Sequence, residues 1–162
     1  MNAFWDRLEG LPGVKGIRVD ESTGSNMAGW YQPHAIYRAG ELHGLAVSRF
    51  CEALRAEAPY CGWEGGNFCL HTHPFFKTFE LRHEGKPSRI ACNDRDVRQD
   101  DDLCRRSEEI DCFSAPWFKH YDPVWIDRYA AAFRKVVENH EQLLEREAET
   151  GQGGRWYGTE NA

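Results

Sequence analysis

An aspartate and a proline, Asp122-Pro123, stand directly ahead of the amphipathic stretch Val124 to Arg146, and this pairing constrains the fold more than any other feature. Aspartate is a favoured N-cap because its carboxylate accepts hydrogen bonds from the orphan N–H groups of the first turn. Proline suits the first helical position, where its missing N–H is harmless and its φ is already helical. Beyond them Ile126, Tyr129, Phe133, Val136, Val137, Leu143 and Leu144 form one apolar stripe at helical spacing. The spacing predicts a single helix that buries one face. It is fed by an aromatic and basic turn, Ala115-Pro116-Trp117-Phe118-Lys119-His120-Tyr121, which follows a short strand predicted at Ile110 to Phe113.

The rest of the chain supplies elements for that face to pack against. Asn2 to Gly10 carries Phe4, Trp5 and Leu8 at helical spacing, is closed by Gly10-Leu11-Pro12-Gly13, and reads as the last turns of a longer helix. Val14 to Val19 alternates apolar and polar residues, as a strand does. After the polar turn Glu21 to Asn26, Met27 to Tyr37 suits a strand that Pro33 interrupts or places at an edge. Val47, Phe50, Cys51 and Leu54 predict an amphipathic helix over Ala46 to Ala58, stopped by Pro59. Lys77 to Asp102 is highly charged and reads as a mobile surface excursion, and the glycines from Gly151 onward begin a loose tail. Strands and helices interleaved in this way predict an α+β fold, a small antiparallel or mixed sheet covered by helices.

Composition narrows the function classes. The 162 residues suggest one domain by length, and 41% hydrophobic content spread along the chain supplies a core. A formal net charge of −6 argues against general nucleic-acid or anionic-membrane binding, both of which need a basic footprint. No apolar run approaches the roughly 20 residues that span a bilayer. The start, Met1-Asn2-Ala3-Phe4-Trp5-Asp6-Arg7, lacks the basic head and apolar stretch of a signal peptide, so the expected location is cytoplasmic. The six cysteines form no CxxC pair or framework spacing, and reduced thiols are expected.

The densest set of potential ligands is Cys69-Leu70-His71-Thr72-His73. In an extended segment its residues at i, i+2 and i+4 project to one side, and a thiolate with two imidazoles suits zinc. A fourth ligand would come from His34, His83 or another cysteine. The paired spacing that makes zinc motifs specific is missing, so a strand end or loop with Leu70 and Phe75 packed is favoured and no metal is assigned. No serine lies in a GxSxG elbow, and no glycine-rich phosphate loop precedes a helix. Lys119 and His120, near the helix cap, are placed to touch an anion, although such residues are more often a solvated rim.

Several of these segments together resemble one family. Asp6-Arg7-Leu8-Glu9-Gly10-Leu11-Pro12-Gly13-Val14 is similar to the end of the interdomain helix of the DegT/StrS-type, pyridoxal-phosphate-dependent sugar aminotransferases. Phe50-Cys51-Glu52-Ala53-Leu54-Arg55-Ala56-Glu57 resembles that family's small-domain helix, and Leu70-His71-Thr72-His73-Pro74-Phe75-Phe76 its LHxxPxF segment. Pro116 to Pro123, with Ile126-Asp127-Arg128-Tyr129 and Ala132-Phe133-Arg134-Lys135-Val136, resembles the entry to its C-terminal helix. The likeness runs in order from about residue 2 to residue 146. Two positions depart from it: Ala46 stands where a Ser or Thr usually caps the helix, and Ala39-Gly40-Glu41-Leu42-His43-Gly44 replaces a Pro-Glu-Glu-Leu-Gly-Gly type of segment.

The resemblance implies the C-terminal domain of an aspartate-aminotransferase-like fold. Residues 1–13 would be the end of the interdomain helix, 14–149 the small domain and 150–162 a flexible tail. It implies a homodimeric enzyme that moves an amino group from glutamate or glutamine to a keto sugar or keto cyclitol. His71 and His73 would lie on the small-domain side of the active-site cleft, so with Lys119 they are the substrate-binding candidates. The pyridoxal phosphate is held covalently by a lysine of the large domain, which would precede Met1. None of Lys15, Lys77, Lys86, Lys119 and Lys135 matches that lysine's motif, so the chain alone is expected to be inactive. Two alternatives stand beside this reading: a zinc module on Cys69, His71 and His73, and a non-catalytic interaction domain.

Overall fold

In the computed structural model, residues 1–26, 29–64, 80, 83, 85 and 111–150 are described, with side chains as far as 145. The chain divides into two compact units, Met1–Gly65 with Asp111–Ala162 and Gly66–Ile110. The account below concerns the first. Its elements in order are α1 (Asn2–Arg7), β1 (Val14–Gly16), β2 (His34–Tyr37), α2 (Val47–Glu57), β3 (Asp111–Ser114), α3 (Pro123–Glu138) and α4 (His140–Thr150). Short 3-10 turns occupy Glu21–Thr23 and Ala39–Leu42.

The three strands form an antiparallel sheet in the order β1-β2-β3. Val14 faces Tyr37, and Ala35 faces Phe113. Because side chains alternate across a strand, these four fall on one face, and all four are buried. Lys15, Ile36 and Cys112 fall on the other face, Lys15 exposed and the other two half-buried. The architecture is thus α+β, a small antiparallel sheet with helices against its buried face.

Aromatic rings carry the core from helix to sheet. Phe4 of α1 meets Phe133 of α3 edge-on at 5.3 Å between centroids, and Phe133 lies 6.1 Å from Phe113 of β3. Phe113 in turn meets Phe50 of α2 at 5.3 Å, and Phe50 lies 5.0 Å from Tyr37 of β2. Phe4, Phe50, Phe113 and Phe133 are fully buried, each worth about 1.5–3 kcal/mol of transfer free energy. Two glycines let elements approach closely. A Cβ on Gly16 would stand 2.4 Å from the Trp5 ring, and one on Gly13 would stand 2.4 Å from Leu42. Gly13 also adopts φ +75°, which a side chain disfavours.

The expected strands are present; β1 and β2 are shorter than predicted, and β3 is shifted by one residue to Asp111–Ser114. β2 begins only after Pro33, whose carbonyl accepts the Ala115 N–H at 2.9 Å, so the proline bounds the strand. β1 stops at Gly16, leaving Ile17 39% exposed, so the alternating pattern to Val19 overestimates the pairing. α2 spans Val47–Glu57, inside the predicted range, and its Phe50, Cys51 and Leu54 are buried. The main correction concerns the last helix, which is two helices and not one. At Asn139 the side-chain amide donates to the Lys135 carbonyl at 2.7 Å, and the His140 ring engages the Val137 carbonyl at 2.8 Å. These side-chain bonds share acceptors with the helical ladder where α3 ends, the Lys135 carbonyl also accepting the Asn139 N–H at 3.2 Å. The stripe survives the break: Ile126, Phe133, Val136 and Val137 are buried, and Leu143 and Leu144 pack partly against the same core. The charged stretch 77–102 and the tail from Gly151 lie outside the described residues, apart from 80, 83 and 85.

Candidate functional site

The turn ahead of α3 gathers the described residues that the sequence marked for function. On its strand side Ser114 and Ala115 are buried, and Ala115 is pinned to Pro33 as above. Phe118 anchors the turn from within, 5.4 Å from Phe4 and perpendicular to Tyr129 at 5.5 Å. On the helix side the Asp122 Oδ1 accepts the N–H groups of Val124 at 3.0 Å and Trp125 at 3.2 Å, the cap that the sequence predicts. Held at three points and with Pro116 also buried, the turn directs four side chains outward: Trp117 is 56% and Tyr121 73% exposed, and Lys119 and His120 are exposed as well.

Cations and rings alternate across this surface. The Lys119 Nζ lies 5.7 Å from the Trp117 ring centroid, and the Arg128 guanidinium lies 5.2 Å from that of Trp125. Trp125 is itself half exposed, so planar apolar faces and positive charges are offered together. Such a ledge can stack on a flat or ring-shaped ligand and neutralise an anionic group beside it. Lys119 is therefore where the sequence expects it, on an exposed surface and away from any burial that would make it a nucleophile. His71 and His73, with Cys69, lie outside the described residues.

The described lysines do not fit covalent attachment of pyridoxal phosphate. An attachment lysine needs a desolvated amine, whereas Lys15 and Lys119 are exposed and Lys135 is held by Glu57 at 2.7 Å on the outer side of α3. Cysteine nucleophiles are no better supplied. Burial pushes the Cys61 thiol up to about 12 and pushes Cys51 higher still, so both stay protonated. The half-buried Cys112 is raised for the same reason, with Asp111 adding to the effect.

A groove of about 660 Å³ runs between α1 and the strands, walled by Leu11, Lys15, Ile17, Ile36, Arg38 and Glu41 among others. Its guanidinium groups are engaged, Arg18 with Asp6 at 2.8 Å and Arg38 with Glu41 at 3.0 Å. Among the described residues, neither Lys119 nor His120 lines it. Sequence reasoning missed a second cluster, His43, His140 and Glu141, which the fold brings together from distant parts of the chain. The adjacency of His140 and Glu141 was visible, but nothing local announces His43 as their neighbour.

The fold and the exposed turn define an α+β protein with an aromatic and cationic surface at the entry to its longest described helix. Comparison of the chain with protein-family models, with curated proteins and with solved structures gives no match in any of the three. Among the described residues no helix is long and apolar enough to cross a membrane.

Proposed function

We propose that the chain is the C-terminal, substrate-side part of a pyridoxal-phosphate-dependent aminotransferase of the DegT/StrS type, acting on a keto sugar or keto cyclitol. One observation carries this reading. A stretch that resembles the family, Pro116 to Pro123, also presents Trp117, Lys119, His120 and Tyr121 outward. A segment that served only the core would hide Trp117 and Tyr121; here Pro116 and Phe118 turn inward while those two stay exposed. The antiparallel sheet covered by helices is the architecture that the resemblance implies.

In this reading the chain contributes binding and not bond-making. Trp117 and Lys119 offer a stacking face and a cation to the substrate or to a facing domain. The cofactor, with its lysine, belongs to a large domain supplied by another segment or another chain, as part of a homodimer.

The test is reconstitution. The purified chain mixed with pyridoxal phosphate shows no absorbance from a lysine-bound cofactor, and amino transfer appears only when a large domain is added. Trp117→Ala and Lys119→Ala then raise KM in the reconstituted enzyme. Cofactor attachment to the isolated chain that Lys119→Ala abolishes would overturn the proposal, as would full activity of both variants.

A further inference from the structure

We propose that His43, His140 and Glu141 form a binding site for a divalent transition metal, with zinc as the ion whose ligand preferences fit best. One ligand atom from each residue lies within 4.8 Å of the other two. Two imidazoles and a carboxylate make a nitrogen and oxygen set of the kind zinc takes with three protein ligands, leaving a fourth position for water. Magnesium and calcium prefer oxygen ligands throughout and are poorly served.

A second, independent observation points to the same place. The His140 Nδ1 lies 2.8 Å from the Val137 carbonyl oxygen, while its Nε2 is buried and has no hydrogen-bond partner. A ring whose Nδ1–H donates to a backbone carbonyl is fixed in the tautomer that leaves Nε2 with a free lone pair. That is the outer bond by which ligating histidines are oriented and made more basic. A buried lone pair with nothing to accept from is otherwise a cost without return.

The backbone prepares the other two ligands. His43 ends the 3-10 turn at φ +54° and ψ +26°, a left-handed conformation uncommon for a residue with a side chain. This turn brings its ring edge-on to His140, with 5.1 Å between centroids. The break at Asn139 starts α4 at His140 and so sets Glu141 beside it in the first turn. Around a tetrahedral ion at about 2.1 Å, ligand atoms stand about 3.4 Å apart. His43 and Glu141 are exposed and can rotate to close that distance, while His140 stays where its carbonyl bond holds it. The ion would tie the turn before α2 to the start of α4.

Zinc titration of the full 162-residue chain, followed by calorimetry, tests the site. The same titration on Cys69→Ser removes the thiolate of the Cys69 to His73 stretch as a source of signal. One zinc per chain is expected in both, and magnesium gives no heat. His43→Ala and Glu141→Gln, both at exposed positions, each weaken zinc binding more than about tenfold, beyond the lower end of what outer ligand contacts alone cost. Their metal-free far-ultraviolet circular dichroism stays that of the parent, so loss of fold is separated from loss of site. Absence of zinc binding to Cys69→Ser, or binding that His43→Ala and Glu141→Gln leave unchanged, overturns the proposal.

Discussion

The Tyr37 hydroxyl donates a buried hydrogen bond to the Leu45 carbonyl oxygen at 2.7 Å, joining the end of β2 to the connection that leads into α2. Tyr37 also packs its ring on Phe50 and Phe113, so one residue fixes the spacing between sheet and helix. Tyr37→Phe keeps the ring and leaves the carbonyl in a dry place with one bond fewer. The expected loss is about 1–3 kcal/mol, the usual penalty for such a group. Urea unfolding checks it, with a lower midpoint and an unchanged slope.

The cap of α3 makes a second prediction. Asp122→Ala leaves the N–H groups of Val124 and Trp125 without their acceptor, and stability falls by about 1 kcal/mol. Asp122→Asn retains an oxygen of the same reach, so its thermal midpoint stays near that of the parent. A large loss in the asparagine variant would mean that charge, and not the hydrogen bond, holds the turn.

What the sequence made legible followed from how local each feature is. The Asp122-Pro123 cap and the stripe through Phe133 are set by neighbours within a few residues, and both are present as read. The break at Asn139 was missed because asparagine at a helical position is uninformative until its amide is seen to take the Lys135 carbonyl. Strand ends were overestimated because alternation marks suitability for pairing and not pairing itself: β1 stops at Gly16 opposite Ala35, although β2 runs on to His34. His43 and His140 meet through tertiary packing alone, and no spacing rule reaches that far. Lys119 was legible as an exposed cation, though its position over Trp117 was not.

Acid sensitivity should be traceable in part to Glu41. Its Oε2 accepts the Gly13 N–H at 2.9 Å and its Oε1 accepts from Arg38 at 3.0 Å. The Gly13 bond first, and Arg38 second, hold its carboxyl below the ordinary range. A folded value below the unfolded one means that the contribution is complete above the unfolded pKa of about 4.3 and is lost as pH falls through the folded value. The effect is small because the side chain is 44% exposed and screened by water. In urea midpoints taken from about pH 7 down to about pH 3, Glu41→Gln is less stable than the parent at the top of the range, and the two converge at the bottom.

Thiol chemistry gives a prediction that needs no substitution. Cys51 and Cys61 are buried with thiols held protonated, and the Cys61 Sγ lies 3.1 Å from the Ala58 carbonyl. Alkylation under native conditions therefore spares both, and each reacts at the rate at which the core opens. Mass spectrometry after timed labelling reads this directly. Rapid native labelling of Cys61 would show that α2 and the segment after it open far more often than their packing implies.

The chain leaves the first unit after Gly65 and returns to it at Asp111. Glu64 bridges to Phe113, the Gly62 N–H donates to the Ser114 carbonyl at 2.8 Å, and the Ser114 N–H donates to the Trp63 carbonyl at 2.7 Å. The residues on either side of the intervening segment are thus clasped side by side. Closing a flexible loop costs only about 0.6 kcal/mol more for each doubling of its length. A change in the length of the segment between residues 64 and 111 therefore costs the first unit little, because the clasp and the aromatic core are both built from residues outside that segment.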